Sequence, residues 1–194
     1  MGMTDTIKDM FKSSPEVGSL QDLFLEQLKD VYDAEHRILE ALPTMSGNAT
    51  STKLRQAFEK HRTQTEGHVE RLERIFDMMG LEAERKTCNA IKGLITEAEE
   101  VMDEAEGTVL DAGLVASAQA VEHYEMARYG TLKAWAETLG MRDAAKLLDS
   151  TLKEESQTDA LLTTLADDSV NPAAFTADLA SRGSTTATRA TRSR

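Results

Sequence analysis

Residues 118–141 read AQAVEHYEMARYGTLKAWAETLGM, and they show the clearest helical pattern in the chain. Apolar residues recur at three- and four-residue steps until Gly140, which is typical of a long amphipathic helix that ends at a glycine. Glu125 lies in register with these apolar residues, on the face that should be buried, and Glu122 lies at the edge of that face. The stretch therefore predicts a core helix with carboxylates on its inner side.

Three other long segments have the same periodicity. The first begins at Ser19, a suitable N-cap with Asp22 three residues later, and ends near Pro43 and Gly47. The second follows a Ser/Thr-rich turn and stops at Gly80, and the last begins at Arg142. Together with residues 118–141, these segments predict four helices of about 25 residues, each about 38 Å long.

The connections between the predicted helices indicate the architecture. Two of them are short, and the connection between the second and third long helices contains a shorter amphipathic segment at about 89–104. This pattern favours an all-α, ferritin-like four-helix bundle with a long crossover connection that includes a short extra helix. We expect a flexible arm at 1–18, the bundle at 19–167 and a disordered Arg/Ser/Thr-rich tail at 168–194.

Composition excludes several classes of protein. The 194 residues include one Cys, so an internal disulfide framework and a Cys-based zinc site are excluded. A net charge of −12 argues against binding of nucleic acid by the body of the protein, although the Arg-rich tail leaves a weak interaction open. Because the chain shows neither a membrane-spanning run nor a signal-peptide run, we expect a soluble cytoplasmic protein.

Each of the four predicted helices has polar or acidic residues near its middle, on the side that faces the core. Counting from the two short turns puts these residues at similar heights, so the helices should bring them into one layer. The candidate metal ligands are Glu35, His61, Gln64, His68, Glu122, Glu125, Glu155 and Asp159.

Several carboxylates buried together without partners would repel one another and would cost several kcal/mol each in lost hydration. A pair of divalent metal ions removes this cost, and imidazole completes the coordination of iron, manganese or zinc. Iron fits such a set best, as a di-iron centre, and manganese is close behind. Taken singly, each acid also has an ordinary interpretation as a boundary residue, and each histidine as a satisfied core residue.

Five segments carry a resemblance to a known family: LKDVYDAEHRILEALPTM (28–45), GHVERLERIFDMMG (67–80), CNAIKGLITEAEE (88–100), AQAVEHYEMARYGTLKAWAETLGM (118–141) and AAKLLDSTLKEESQTDALLTTLA (144–166). They resemble the YciE/YciF family of ferritin-like bacterial stress proteins. The resemblance covers about 19–166 and implies a ferritin-like bundle, a homodimer and a ferroxidase activity. Members of the family have a glutamate three residues after the histidine at position 61, whereas this chain has Gln64 there. A neutral amide is a weaker metal ligand than a carboxylate.

Three functions follow as hypotheses. The first is a di-metal protein that oxidises Fe(II) or consumes peroxide during stress. In it, the glutamates at 35, 125 and 155 ligate or bridge the ions. Gln64 is a weak ligand or a group that supports a ligand, and the coordination is completed by Glu122, Asp159 and either His61 or His68. The second is a non-enzymatic helical dimer with a structural or partner-binding role. The third, DNA protection through the Arg-rich tail, is the weakest because of the overall charge.

Overall fold

The computed structural model describes residues 17–180, and all regular structure in this range is helical. The expected all-α class is therefore confirmed. Residues 1–16 and 181–194, which hold most of the predicted arm and half of the predicted tail, lie outside the described residues. The helices are α1 (Leu20–Asn48), α2 (Thr52–Met79), α3 (Asn89–Glu104), α4 (Gly107–Thr138) and α5 (Arg142–Leu165), followed by a π-helical turn (Ala166–Val170).

Most helix ends follow the sequence signals. Ser19 caps α1, since its hydroxyl accepts a hydrogen bond of 3.1 Å from the backbone N–H of Asp22. The helices α2 and α4 end next to Gly80 and Gly140, which adopt left-handed φ values of 69° and 76°. Glycine takes this conformation without the steric cost that a Cβ would add.

The helix α1 passes through Pro43 and ends at Asn48, next to Gly47, where the sequence places its end. One helical segment extends further than the sequence predicts. After the π-helical turn, residues 171–180 are helical as well, although they fall in the segment expected to be a disordered tail. Val170 is buried within the core and links this extension to the rest of the fold.

The four long helices pack pairwise around a shared interior. The helix α1 packs against α2 and α4, α5 packs against the same two helices, and α3 lies on α1 and α4. Two apolar clusters occupy opposite ends of this interior. One cluster contains the first halves of α1 and α5 and the second halves of α2 and α4, and the other cluster contains the remaining halves. Large members of one cluster are Phe24, Phe76, Tyr129 and Leu148, and those of the other are Leu42, Leu54, Leu114 and Leu162.

The order of the clusters fixes the direction of each helix. The helices α2 and α4 run the same way, so the chain between them must return along the length of the molecule, and α3 lies on this path. None of the helices within residues 17–180 has the length and apolar character needed to cross a membrane.

Asp33 of α1 holds the start of this return path. Its buried carboxylate accepts hydrogen bonds from the backbone N–H of Cys88 at 2.8 Å, from Arg85 at 2.9 Å and from Arg37 at 2.6 Å. Burial alone would raise the pKa of Asp33, but these three donors outweigh it and hold the pKa below its ordinary value. The chain that enters α3 is thereby fixed to α1.

We predict that Asp33→Ala lowers the free energy of unfolding by about 3 kcal/mol, because the buried N–H of Cys88 and a guanidinium lose a charged acceptor. Urea unfolding followed by circular dichroism measures the change. The exposed Asp103 at the end of α3 supplies the control, and Asp103→Ala should stay within about 0.5 kcal/mol of the unaltered protein. Equal stabilities of the two variants would contradict the anchoring role.

Candidate metal centre

A layer of buried acidic and imidazole side chains separates the two apolar clusters. All four long helices contribute to it, and each of its members is at most 3% exposed. The sequence predicts this layer, since its members lie near the middle of their helices on the inner face. The members are Glu35 of α1, His61 and His68 of α2, Glu122 and Glu125 of α4, and Glu155 of α5.

These side chains form two groups, and within each group the ligand atoms lie within 4.8 Å of one another. In the first group, His61 Nε2 lies 3.3 Å from Glu122 Oε1. In the second group, His68 Nδ1 lies 3.4 Å from Glu35 Oε1 and 3.0 Å from Glu155 Oε1. Glu155 belongs to both groups, which are therefore adjacent. The first group is His61, Glu122, Glu125 and Glu155, and the second is Glu35, His68 and Glu155.

Each histidine has one ring nitrogen directed at a hydrogen-bond partner and the other at the acidic groups. His68 Nε2 lies 3.0 Å from Glu154 Oε2, a carboxylate that can only accept, so this nitrogen holds the proton. His61 Nδ1 lies 3.4 Å from the hydroxyl of Thr158, which donates its own proton to a backbone carbonyl and so accepts from the ring. In the neutral rings, His61 Nε2 and His68 Nδ1 therefore present lone pairs to the two groups.

Glu154, the partner of His68, is itself fixed by Arg71. The guanidinium makes two parallel hydrogen bonds to the carboxylate, at 2.9 and 2.8 Å, and a third to Thr151 at 3.1 Å. Burial would raise the pKa of Glu154, but Arg71 and His68 outweigh it and hold the pKa below its ordinary value. Glu154 thus stays ionised and sets the orientation of the His68 ring.

Tyr129 of α4 supports the second group from the other side. Its buried hydroxyl donates a hydrogen bond to Glu35 Oε1 and leaves Glu35 Oε2 without a partner. Burial, together with the charges of the neighbouring glutamates, raises the pKa of Tyr129 well above its ordinary value. The phenol therefore remains a donor at neutral pH and fixes the direction of the Glu35 carboxylate.

The carboxyl groups of the layer are basic for their type. Burial, together with repulsion from Glu155, raises the pKa of Glu122 to about 10. Burial and the charges of the other glutamates raise the pKa of Glu125 well above its ordinary value, and burial raises that of Glu155. In the protein without metal, the layer therefore holds protons at neutral pH.

The two histidines differ in charge. Burial, followed by repulsion from His68, lowers the pKa of His61 to about 4, so this ring is neutral. Burial acts in the same direction on His68, but attraction to Glu35 and Glu155 outweighs it and raises the pKa to about 11. Without metal, the His68 imidazolium is therefore the cation that offsets part of the acidic charge.

The buried side-chain atoms without hydrogen bonds are concentrated in the layer. Among residues 17–180, every buried side-chain nitrogen or oxygen without a well-formed hydrogen bond belongs to the six residues of the layer, and these atoms include His68 Nδ1 and Glu155 Oε1, which lie 3.0 Å apart. Buried polar atoms are normally satisfied, so such a concentration requires an explanation. Metal ions supply one, because they accept lone pairs from carboxylates and imidazoles together. The atoms are Glu35 Oε2, His61 Nε2, His68 Nδ1, Glu122 Oε2, and both carboxylate oxygens of Glu125 and of Glu155.

Two of the sequence candidates take other positions. Asp159 lies outside both groups, where it accepts a hydrogen bond of 3.1 Å from Gln119 and lies 3.4 Å from His123 Nε2. Gln64 is only half-buried, unlike the six members of the layer, and its role as a weak ligand stays a prediction. Sequence reasoning gave no site role to Glu154, Tyr129, Arg71 or Thr158, since only the packed structure shows which neighbours reach the layer.

The fold and the site define an all-helical protein with a buried carboxylate–histidine cluster that could hold metal ions. The chain belongs to the family described as a domain of unknown function, DUF892, whose model matches residues 19–175. It is similar to Protein YciF of Escherichia coli strain K12, with 45% identity over 155 residues, which cover 79% of this chain and 93% of that protein. The family predicted from the sequence is thereby confirmed.

Solved structures agree with this assignment. The crystal structure of the E. coli stress protein YciF matches with a TM-score of 0.77 and 44% identity, over 80% of this chain and 99% of that one. YcfI of Rhodopseudomonas palustris, described as a candidate structural protein, matches with a TM-score of 0.76 and 45% identity, over 78% of this chain and 98% of its own. A protein of Xanthomonas campestris pv. campestris, 17% identical with a TM-score of 0.64 over 86% of this chain and 99% of its own, shares the fold.

The link between Glu154 and His68 leads to a prediction about metal affinity. We predict that Glu154→Gln weakens metal binding by about 10- to 100-fold, because the His68 ring loses the charged acceptor that orients it. Equilibrium titration with Mn(II) measures the affinity. The exposed Glu70 on α2 provides a control, since Glu70→Gln removes one negative charge without touching the layer. Equal affinities of the two variants would show that Glu154 has no influence on the site.

Proposed function

We propose that the protein is a ferritin-like di-metal carboxylate protein that binds Fe(II) and promotes its oxidation by oxygen or a peroxide. The observation that supports this function best is the set of unpartnered buried atoms, which is confined to six carboxylate and imidazole residues among those described. The opposite directions of the α1/α5 and α2/α4 pairs, with a long return path between α2 and α4, support a ferritin-like four-helix bundle with one crossover.

The two groups supply ligands for two ions. The first would be held by His61, Glu122 and Glu125, and the second by Glu35 and His68. Glu155 belongs to both sets and would bridge the ions. Iron bound there would supply one-electron redox chemistry toward oxygen or peroxide.

The donor set favours some metals over others. Four carboxylates and two imidazoles mix hard oxygen with nitrogen donors, which suits iron and manganese. Calcium and magnesium prefer oxygen ligands and would leave the two histidines without a role. Iron is therefore the proposed metal, and manganese is the alternative.

The protein's own residues prepare the site for this chemistry. Glu154 and Thr158 hold the protons on the outer nitrogens of the two histidines, so that the inner nitrogens present lone pairs. Tyr129 fixes the Glu35 carboxylate by donating to one of its oxygens. The apolar clusters on either side of the layer surround it with uncharged side chains, and a surrounding of low polarity strengthens electrostatic interactions within the layer.

The similarity to the E. coli stress protein YciF supports a role in stress. We also propose a homodimer in the cytoplasm, as expected from the sequence and from the family resemblance. A non-enzymatic structural role is the second candidate function, and the description of the R. palustris relative YcfI favours it. The two candidates differ in whether bound Fe(II) reacts.

Anaerobic Fe(II) titration followed by exposure to oxygen tests the proposed activity. We predict that the protein binds about two Fe(II) ions per chain and oxidises them at least about tenfold faster than buffer does. Glu125→Gln should lose most of this acceleration, because it replaces a buried carboxylate of the first group. Glu137→Gln, an exposed change on the same helix, should retain the acceleration.

The outcome separates the two candidate functions. If the protein does not oxidise Fe(II) faster than buffer does, the ferroxidase function is contradicted and the structural role is favoured. This holds whether or not the protein binds Fe(II). Equal acceleration by the Glu125 and Glu137 variants would show that the reaction takes place away from the layer.

A further inference from the structure

A cavity of about 340 Å³ lies beside the layer of buried acidic and imidazole side chains and reaches two of its members, His61 and Glu122. Its other end opens between α1 and α3, where the exposed residues Glu40 and Lys92 line it. A volume of this size is within the range of small-molecule sites in proteins. The cavity therefore connects the protein surface to the first ligand group.

The walls of the cavity are mostly apolar. They are formed by α1, α2, α3, α4 and α5, so the space lies inside the fold rather than on one face of it. Apolar walls favour an apolar occupant, because contact between the two removes apolar surface from water. Apolar residues of the wall include Ile38, Leu42, Phe58, Ile95, Val121 and Leu162.

The helix α3 covers the cavity without filling it. Its first end is fixed, because the N–H of Cys88 bonds to Asp33. Near the other end of α3, Val101 packs closely against Gly113 of α4. A Cβ atom on residue 113 would lie only 2.4 Å from Val101 Cγ1. Between these points several residues of α3 line the cavity, and among them Ala98 contributes only a methyl group.

The inner end of the cavity is polar. It is lined by His61, Glu122 and Thr158. His61 Nε2 and Glu122 Oε2 have no hydrogen-bond partners. An occupant suited to this space thus has an apolar body and a small, uncharged oxygen group at one end. Hydrogen peroxide has no apolar body, and dioxygen is far smaller than the cavity, so neither makes use of the walls.

We propose that the cavity binds an apolar organic hydroperoxide, with its hydrocarbon part against the apolar walls and its hydroperoxide group next to His61 and Glu122. The proposal rests on the di-metal function proposed above and names the substrate class that enters beside the metal layer. Reduction of the hydroperoxide breaks the O–O bond and gives one alcohol and one water. Two Fe(II) substrate ions each lose one electron and become Fe(III), and two protons come from the solvent.

Binding is tested first on the protein without metal, so that the result does not depend on the ferroxidase function. The probe is cumyl alcohol, the unreactive alcohol that corresponds to cumene hydroperoxide, followed by isothermal titration calorimetry. We expect one binding site on the unaltered protein. Ala98→Leu, which adds three carbons within the cavity, should weaken binding at least about tenfold.

Two further variants make this experiment decisive. Ala90→Leu makes the same change on the exposed side of α3 and should bind the probe like the unaltered protein. Ala41→Leu narrows the cavity from α1 and replaces the Ala98 variant if thermal unfolding shows that the latter does not fold. Absence of binding to the unaltered protein, or equal binding by the cavity variant and the Ala90 variant, would overturn the proposal and leave the ferroxidase function untouched.

The second experiment compares two oxidants on protein loaded anaerobically with Fe(II). Cumene hydroperoxide should oxidise the bound Fe(II) at least about tenfold more slowly in Ala98→Leu than in Ala90→Leu. Hydrogen peroxide should oxidise both at the same rate, since it does not use the apolar walls. An equal loss of rate with both oxidants would mean that the substitution damages the metal layer, and would overturn the proposed specificity.

Discussion

Glu155→Ala is expected to abolish binding of both metal ions, from about two ions per chain to about none. Glu155 is the one residue that belongs to both ligand groups, and its two carboxylate oxygens are buried without partners. Removing it takes one ligand from each position at once. Elemental analysis of protein expressed with iron and manganese supplied, after removal of loosely bound metal, measures the effect.

A comparison with Glu35 shows whether bridging is the reason. Glu35 belongs only to the second group, so Glu35→Gln should retain about one ion, held by the first group. The exposed Glu66 on α2 supplies the control, and Glu66→Gln should keep both ions. Full metal content in the Glu155 variant would rule out the proposed centre. Loss of both ions in the Glu35 variant as well would rule out two separable positions.

Without metal, the protein is expected to become less stable as the pH rises from 6.5 to 8.5. The folded state keeps protons on Glu122, whose pKa is raised to about 10, and on His68, whose pKa is raised to about 11. The unfolded chain has released the Glu122 proton over this whole range and releases the His68 proton in its lower half, because an unfolded histidine has a pKa of about 6.5. Because the folded state binds more protons, its stability falls with rising pH, by about 2.7 kcal/mol over two pH units for each extra proton held.

Bound metal should reverse this trend. Metal ions take the place of the protons, so binding releases protons and grows stronger as the pH rises. Melting temperatures measured with a chelator, and with Mn(II) under nitrogen, should therefore diverge from pH 6.5 to 8.5. The double variant Glu122→Gln, Glu125→Gln serves as control and should show a flatter pH dependence without metal. A melting temperature of the chelated protein that does not change with pH would contradict the raised pKa values.

The helices could be predicted from the sequence because their signals are local. Ser19 as the N-cap of α1 and glycine next to the ends of α2 and α4 all lie where the structure has them. The end of α1 at Asn48 also lies next to Gly47, one of the two residues that mark it in the sequence. The long connection between α2 and α4 was expected from its length, but its fixation by Asp33 needs a contact that joins distant parts of the chain.

The six residues of the layer could be predicted because acids and imidazoles interrupt an otherwise regular apolar pattern. Asp159, one turn after Glu155, follows the same pattern but faces Gln119 and His123 instead. Helical periodicity fixes a direction only to within a fraction of a turn, so residues at the edge of a face are ambiguous. The supporting residues Glu154 and Tyr129 could not be assigned, because their roles depend on which side chains of other helices they meet.

Anomalous X-ray diffraction from crystals loaded with Mn(II) or Fe(II) tests the central claim most directly. The proposed centre predicts two anomalous peaks inside the protein, one on each side of the Glu155 carboxylate, with His61 next to one and His68 next to the other. Density within the layer without anomalous signal, or peaks confined to surface carboxylates, would contradict it.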